Sequence, residues 1–511
     1  MNVRPGIVAL ILLGVPVTAT AQTGALGKAA ETITEEQVRR RIDIIADDSM
    51  GGRNTPSPGL EKTARYIAGE FQRLGLTPGG DSGSFFLRYP IAVRQLRVAQ
   101  SSLRLGNPGN GPGTRTSLTA DAAFLSGPTE ADAKGTVTLV GGRVVVDSLK
   151  PEEIRGHIIV YVPPVSGVQS AGGFRTVAGL SRSGARGVVV VVPSDSVLAD
   201  YQRAQTRLRT TVGDRPRGAP VLAIRESALL AQFPEAARHL EQLRAATGTV
   251  SQPMPDWEGE IALRDSAVST EYAPDVVGIL QGSDPALKHE YLVYSAHMDH
   301  IGTAGAPGAA CRALGGDSIC NGADDDGSGT VGVLALAEAF SRPGARPRRS
   351  VIFLTVSGEE HGLWGSEWFV NHAPVPLPAI VADLNADMIG RNWKDTIVAI
   401  GKEHSDLGST LNRVNAAHAE LGMHAIDDRW PEQSFYTRSD HFNFAQKGIP
   451  ILFFFNGVHE DYHRASDSPD KIDAEKESRI VKLLFYVGQE VANARERPQW
   501  VPASYRQIVI P

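Results

Sequence analysis

Two adjacent glutamates, Glu359 and Glu360, follow an apolar run in the stretch "VIFLTVSGEEHGLWGS", residues 351–366. Charged side chains are almost never buried without a partner. The pair therefore lies either on a solvated turn or against a cation. Because successive residues of an extended chain point in different directions, the two carboxylates do not naturally chelate one ion. The arrangement fits a site in which one glutamate binds a metal and its neighbour moves protons.

Histidine or carboxylate side chains stand after other apolar runs as well. His297 follows "YLVYSA", Asp387 follows "IVADLNA", and Tyr462 and His463 lie beyond "ILFFF". Any one of these residues has an ordinary explanation as a polar loop residue. In parallel sheets, however, ligands bind at the carboxyl ends of the strands. These side chains are therefore predicted to share one edge of a sheet.

The acidic triplet "DDD", residues 324–326, precedes the apolar helical stretch "GTVGVLALAEAF". By itself it is a reasonable helix N-cap with a favourable dipole interaction. Combined with the other strand-end groups, so many carboxylates repel one another unless a cation neutralises them, and imidazole with carboxylate suits zinc. The set exceeds the ligands of one tetrahedral zinc and fits two ions that share a bridging carboxylate. Carboxylate-rich sites also accept cobalt or manganese, so the residue types leave the metal open.

His297 and Asp299 are two residues apart, on one face of an extended segment. Asp299 is predicted to accept the second N–H of the imidazole, because such a carboxylate fixes the tautomer of a metal-binding histidine and raises its basicity. The alternative role for Asp299 is that of a solvated turn residue.

Other catalytic classes have weaker support. The segment "HEDYH", residues 459–463, matches H-E-x-x-H, which in single-zinc proteases needs both histidines on one helix face. It lies between Asn456-Gly457 and Ser468-Pro469 without apolar helical periodicity, so its context does not fit. The sequence contains no G-x-S-x-G motif, which argues against a serine nucleophile.

The periodicity of apolar residues predicts the strands and helices that carry these side chains. After residue 275, continuous apolar runs alternate with helical stretches, which predicts an α/β fold with a mixed, mostly parallel central sheet flanked by helices. Residues 56–76 have apolar residues at spacings of three and four and predict an amphipathic covering helix. From about 110 to 265, short Val- and Ile-rich runs between glycines and prolines predict a β-rich insert.

The start of the chain predicts export. Arg4, an apolar run and the small-residue pattern before Gln22 are typical of a signal peptide at residues 1–21, cleaved near Ala21, and of a secreted or periplasmic protein. The run is shorter than the ~20 residues of a spanning helix, so no stable membrane insertion is expected. In that oxidising compartment Cys311 and Cys320 are expected to form a disulfide. A net charge of -6 without a long charge run gives no indication of a nucleic-acid surface, and no nucleic-acid partner is expected.

Five motifs occur together in the second half of the chain: "SAHMDH", "NGADDDGSG", "SGEEHGLWGS", "LNADMIG" and "DYHRASDSPDKI". In this order they resemble the co-catalytic di-zinc exopeptidases, which include secreted bacterial leucyl aminopeptidases, glutamate carboxypeptidase and the catalytically silent transferrin receptor ectodomain. The resemblance covers about residues 275–490. It implies a zinc exopeptidase fold whose catalytic domain is split into 22–110 and 266–511, with residues 111–265 resembling a protease-associated domain.

The resemblance implies the site residues one by one. One zinc ion is expected on His297 and Asp387 and the other on Glu360 and His463, with Asp325 as the bridge. All five expected ligand positions are filled, which argues against a silent receptor-like member.

The resemblance also implies roles around the metal pair. Glu359 is expected to be the general base that moves the proton of the attacking water, Asp299 the partner of the first histidine, and Tyr462 a group that steadies the carbonyl oxygen. The stretch "TRSDHFNF" resembles a border of the substrate pocket, and Arg438, Asp440 and His441 are candidates there for binding substrate or for supporting the metal ligands.

The function implied is that of a zinc-dependent aminopeptidase acting outside the cytoplasm on the N-terminal residues of peptides. A carboxypeptidase of the same family, a glutaminyl cyclase and a non-catalytic, receptor-like binding protein are the alternatives. The carboxypeptidase would need a basic cluster for the substrate carboxylate, and Arg391 or Arg438 is too little to supply one.

Overall fold

The computed structural model describes residues 17–107, 115–164, 171–213, 218–306 and 308–509. These residues fall into two compact units. Among the described residues, the first unit comprises 17–89 and 272–509, and the second lies within Pro90–Glu271.

The strands in chain order are β1 (Thr77–Pro78), β2 (Phe86–Leu96), β3 (Ser102–Gly106), β4 (Arg115–Ser117), β5 (Ala122–Ser126), β6 (Ala131–Gly142), β7 (Ile158–Val162), β8 (Gly187–Val192), β9 (Arg209–Val212), β10 (Val221–Arg225), β11 (Thr249–Leu263), β12 (Asp265–Leu280), β13 (Tyr291–His297), β14 (Ser350–Val356), β15 (Ile380–Ala386), β16 (Thr396–Ile400), β17 (His424–Ile426) and β18 (Ile451–Phe455). The helices are α1 (Val17–Ala30), α2 (Glu35–Ile45), α3 (Pro58–Arg73), α4 (Pro151–Ile154), α5 (Ala171–Arg182), α6 (Asp195–Gln205), α7 (Glu226–Gln232), α8 (Ala236–Ala245), α9 (Gly329–Phe340), α10 (Trp364–His372), α11 (Leu407–Ala417), α12 (His441–Gln446), α13 (Ala474–Asn493) and α14 (Pro502–Ile508).

The first unit is built on a mixed sheet in the order β17-β16-β18-β15-β13-β14-β12-β2, with β1 paired to β12. Its centre is parallel, since β13 pairs in parallel with β14 and β15, and β15 pairs in parallel with β18. Every residue of β14, β15 and β18 is buried, which explains why these strands read as continuous apolar runs. The predicted α/β fold class is confirmed.

Helices cover this sheet as the periodicity predicted. All 12 residues of α9 are buried, so the helix is apolar all round and lies between the sheet and the helices α2, α3 and α13. Helix α3 begins after Ser57, whose side chain accepts a hydrogen bond from the backbone N–H of Leu60, and it buries Ala64, Ile67 and Phe71.

The second unit has an eight-stranded sheet in the order β4-β3-β11-β6-β7-β8-β10-β5. Strands β6, β7, β8 and β10 run parallel to one another. Two apolar clusters include alternate residues of the same strands, with Val189 and Val191 in one and Val188 and Val190 in the other. Such alternation places one cluster on each face of the sheet.

The boundaries of the second unit differ from the predicted insert of residues 111–265. The unit already begins at Pro90, because β3 pairs with β11 far along the chain, and it extends to Glu271. It is also less purely β than predicted, since it contains helices α4 to α8. Its resemblance to a protease-associated domain stays a prediction.

The predicted signal peptide lies outside the described residues up to residue 16, and its remainder falls in α1. Within the described residues, no helix combines the length and apolar character that crossing a bilayer requires. Cys311 and Cys320 are joined by a disulfide in the segment that leads to the acidic triplet.

Candidate metal centre

The predicted metal-binding groups stand at the carboxyl ends of strands in the first unit. His297 is the last residue of β13, Glu360 follows β14, Asp387 follows β15 and His463 lies in the segment after β18. Because these strands are parallel, their ends meet at one edge of the sheet, and the side chains come together there. Asp325 joins them from the irregular turn that precedes α9.

The first group of ligand atoms consists of His297, Asp325 and Asp387. Nε2 of His297 lies 3.4 Å from Oδ1 of Asp325 and 3.6 Å from Oδ1 of Asp387. Burial lowers the pKa of His297, but the carboxylates of Glu359 and Asp387 raise it well above its ordinary value. The second oxygen of Asp387 accepts a hydrogen bond from the Ser439 hydroxyl at 2.9 Å.

The second group consists of His300, Asp325 and Glu360, and the predicted ligand His463 lies beside it without belonging to it. Nε2 of His463 lies 3.2 Å from Oδ2 of Asp325 and 3.1 Å from Oε2 of Glu360. Burial lowers the pKa of His463, yet these two carboxylates raise it to about 10. Nδ1 of His300 lies 2.8 Å from Oε1 of Glu360.

The donor set of both groups fits divalent metal ions. Among the described side chains, Oδ2 of Asp325, Oε1 of Glu360 and both ring nitrogens of His300 are buried without a hydrogen-bond partner. The short contacts between them are therefore not aligned as hydrogen bonds. Imidazole and carboxylate atoms that converge in this way suit a cation such as zinc, and Asp325 is common to the two groups.

Glu359 lies beside the first group without joining it. Its Oε2 is 4.0 Å from Nε2 of His297, and its side chain lines the cavity described below. Burial raises the pKa of Glu359 well above its ordinary value, and the carboxylates of Asp440, Glu360 and Asp387 raise it further. A carboxylate in this position can take up a proton.

Asp299 is placed differently from the prediction. Its carboxylate lies 3.6 Å from Nδ1 of His297, whereas its backbone carbonyl lies only 3.2 Å away and is the hydrogen-bond acceptor. The carboxylate instead accepts hydrogen bonds from the Thr55 hydroxyl and from the backbone N–H of Glu359. Asp299 thus connects the first histidine to the segment that carries the general-base candidate.

Two further aspartates hold the ligand-bearing turn. Asp326 accepts hydrogen bonds from the backbone N–H groups of His297, Gly329 and Met388, which ties three segments together. Asp467 accepts from the backbone N–H groups of residues 324 and 325. Burial raises the pKa of Asp467 to about 6, and the Asp324 carboxylate adds to the shift.

Arg53 supports the same turn from the N-terminal part of the chain. It is fully buried, and its guanidinium donates to the carbonyls of Met298, Ile45, Asn321 and Gly322. Burial lowers its pKa, and nearby aspartates oppose that shift. Sequence periodicity gave no signal for this arginine, because its partners lie in distant loops.

Three non-glycine residues around the site have left-handed backbones. They are Arg53 at φ 51°, Met388 at φ 55° and His463 at φ 57°. Such conformations persist only where the surrounding structure determines them, and they cluster at functional sites. At His463 the left-handed backbone directs the ring toward Asp325 and Glu360.

A small, partly open cavity lies beside the first group. Its lining residues are His297, Asp325, Glu359, Asp387, Met388, Phe435, Arg438, Ser439, Phe453, Phe455, Val458 and Tyr462. The lining therefore combines polar groups with aromatic and aliphatic side chains. Tyr462 stacks on His463 with ring centroids 3.9 Å apart.

The three substrate-binding candidates separate in the structure. Arg438 is exposed and lines the cavity, with its guanidinium carbon 4.7 Å from the centroid of the Phe435 ring. Asp440 and His441 are fully buried and do not line it, so their role stays a prediction, and their position fits support of neighbouring groups better than contact with substrate. Asp440 directly precedes α12, and His441 is the first residue of that helix.

The segment "HEDYH" does not form the helix that a single-zinc protease requires, since residues 459–463 are turns. Its two histidines point to different partners. Nε2 of His459 lies 3.2 Å from Oδ2 of Asp324, outside the two ligand groups.

Residues 275–488 match the sequence model described as Peptidase family M28. "Leupeptin-inactivating enzyme 1" of Streptomyces exfoliatus is 32% identical over 158 residues, 30% of this chain and 34% of that protein. "Probable leucine aminopeptidase" of Trichophyton verrucosum is 26% identical over 259 residues, 48% of this chain and 71% of that protein. The chain thus spans only about a third of the Streptomyces relative.

Among solved structures, a zinc aminopeptidase from Bacillus subtilis aligns with a TM-score of 0.46 and 17% identity, over 91% of this chain and 96% of that one.

Proposed function

Residues 275–488 belong to peptidase family M28, and on this premise we propose that the chain is a zinc-dependent aminopeptidase that releases N-terminal residues from peptides. The family match confirms the resemblance to the di-zinc exopeptidases and the class of enzyme, a metallo-exopeptidase. The observation that carries the proposal is the pair of ligand groups sharing Asp325 beside a cavity that Glu359 lines.

Two zinc ions are the proposed cofactors. His297 and Asp387 would hold one ion, Glu360 and His463 the other, and Asp325 would contact both. When bound, such a pair polarises a scissile carbonyl and makes water nucleophilic at neutral pH. The support from this chain is the excess of buried carboxylate around two histidines whose pKa values it raises.

Glu359 is the proposed general base. It accepts a proton from the attacking water and donates it to the leaving amine. Asp299 holds the backbone of Glu359 in place through the N–H hydrogen bond.

The cavity indicates which residue is released. Its apolar side is formed by Phe435, Phe453, Phe455, Met388 and Val458, so an aliphatic or aromatic N-terminal side chain is the best fit. Burial of such a side chain contributes about 1.5–3 kcal/mol. The leucine aminopeptidase named among the relatives agrees with this preference.

The test is hydrolysis of a panel of aminoacyl chromogenic substrates, each with a free and an N-acetylated amine, with and without a chelator. We expect chelator-sensitive cleavage of leucyl and phenylalanyl substrates that requires the free amine. Cleavage only of peptides with a free C-terminal carboxylate would instead support the carboxypeptidase alternative. Absence of cleavage in a protein that binds metal would redirect the assignment to cyclisation or binding. Action outside the cytoplasm stays a prediction from the N-terminal sequence.

A further inference from the structure

His300 is a buried histidine with no assigned role in the proposed reaction. It ends the motif "SAHMDH", three residues after His297, and is 0% exposed. Neither of its ring nitrogens has a hydrogen-bond partner among the described residues. Leaving two buried imidazole nitrogens unpaired is unfavourable, so a bound group that contacts the His300 ring is expected.

The ring faces the second ligand group. Nδ1 of His300 lies 2.8 Å from Oε1 of Glu360 and 3.7 Å from Oδ2 of Asp325. The ring of His463 reaches the same two carboxylates from another side, with its centroid 5.7 Å from that of His300 and the planes at 73°. Two imidazoles and two carboxylates therefore surround one point.

Most of these atoms are spaced nearly as metal ligands are. Zinc–nitrogen and zinc–oxygen bonds of about 2.0–2.2 Å in a tetrahedron place neighbouring ligand atoms roughly 3.3–3.6 Å apart. Nε2 of His463 lies 3.2 Å from Asp325 and 3.1 Å from Glu360, and Nδ1 of His300 lies 3.7 Å from Asp325, whereas its 2.8 Å approach to Glu360 is shorter than the range. A hydrogen bond would require Nδ1–H to point at Glu360, yet neither atom is in hydrogen-bond geometry.

We infer that His300 is a direct metal ligand of the second ion, so that this ion is held by His300, His463, Glu360 and Asp325. The inference rests on the proposed two-metal site and adds a ligand to it. With four protein ligands the second site is closed, whereas the first has three, which matches the difference between structural and catalytic zinc sites. The second ion is therefore expected to bind more tightly and to be lost last.

The experiment measures metal binding by the full chain rather than activity. Asparagine can donate a hydrogen bond from nearly the position of Nδ1 but is a poor zinc ligand. We expect His300→Asn to weaken the tighter zinc site by more than about 100-fold in competition with a chromophoric chelator, beyond the 10–100-fold typical of outer-sphere partners. A His300→Asn protein with two ions at wild-type affinity would overturn the inference.

The control is His459→Asn, which removes a buried histidine that faces Asp324 outside both groups, and it is expected to leave zinc affinity unchanged. Thermal melts of the metal-free proteins show whether each variant folds. X-ray absorption of the wild-type chain provides a measurement that needs no variant, since three imidazoles per metal pair are expected. Two imidazoles would overturn the role of His300 alone, whereas failure to bind a second ion would also overturn the proposed metal pair.

Discussion

At the scale of single residues, Glu359 differs from the other strand-end groups because it lines the cavity without belonging to either ligand group. Glu359→Gln removes the proton acceptor and keeps the shape. We expect kcat to fall by about 10²–10⁴-fold while the protein still binds its metal. Steady-state kinetics with metal analysis measures both quantities. The matched control is Glu432→Gln, an exposed glutamate that does not line the cavity, and unchanged turnover of Glu359→Gln would contradict the base role.

His441 is fully buried, and its protonation links the stability of the fold to pH. Its ring is 4.3 Å from that of Phe453, and Nε2 donates to the carbonyl of Tyr436 at 2.8 Å. Burial lowers the pKa of His441 to about 3, compared with about 6.5 in an unfolded chain.

The unfolded state therefore binds more protons between these two pH values, so stability falls as the pH drops below 6.5 and continues to fall toward 3. The slope reaches about 1.4 kcal/mol per pH unit. His441→Gln retains a donor and should show a shallower loss of stability over this range in urea titrations. Parallel curves for the two proteins would contradict the buried neutral state.

At the scale of elements, close packing of α13 on β13 supports the strand that ends in His297. A Cβ built on Gly488 in α13 would lie 1.7 Å from the hydroxyl of Tyr294, which is fully buried and donates to the carbonyl of Leu484. Gly488→Ala is expected to lower the free energy of unfolding by about 1–3 kcal/mol.

The contrast is Gly69→Ala in α3, where no atom lies within 4 Å of the added carbon. This change is expected to stabilise the helix by about 0.5–1 kcal/mol. Denaturant unfolding of both variants measures the difference. An unaffected Gly488→Ala protein would show that helix and strand are less tightly packed than described.

The sequence predicted the strands of the central sheet better than it predicted the buried side chains that hold the metal-binding turn in place. Apolar runs predicted β13, β14, β15 and β18. The histidine and carboxylate side chains at their ends were identified because ligands bind at the carboxyl ends of parallel strands. Arg53, Asp326 and Asp467 were not assigned roles. Their hydrogen bonds to backbone groups join distant segments, and no local pattern encodes such partners. The sequence did not reveal that Asp440 and His441 are buried at the start of α12, because polar residue types alone do not show that the side chains turn inward.

At the scale of the whole molecule, metal binding and stability are linked. Without cations, the buried carboxylates of the two groups repel one another, so the folded state is favoured by whatever metal it binds. Free metal at 1,000 times its Kd adds about 4 kcal/mol. A chelator should therefore lower the unfolding temperature of the wild-type chain, and zinc should restore it.

Calorimetric scans measure this linkage. Glu359→Gln serves as a control, because its ligands are intact and its response to chelator and zinc should match the wild type. An unfolding temperature that is insensitive to chelation would contradict tight metal binding in the folded protein.

The buried Arg53 can form most of its hydrogen bonds only after much more of the chain has been translated. Its acceptors at Asn321 and Gly322 lie 268 and 269 residues later in the chain. At about 5–20 residues per second, the ribosome needs on the order of tens of seconds to supply them. His463 is translated later still, so the candidate metal centre is completed only near the end of translation. A nascent chain that has not reached that histidine lacks one of the proposed ligands.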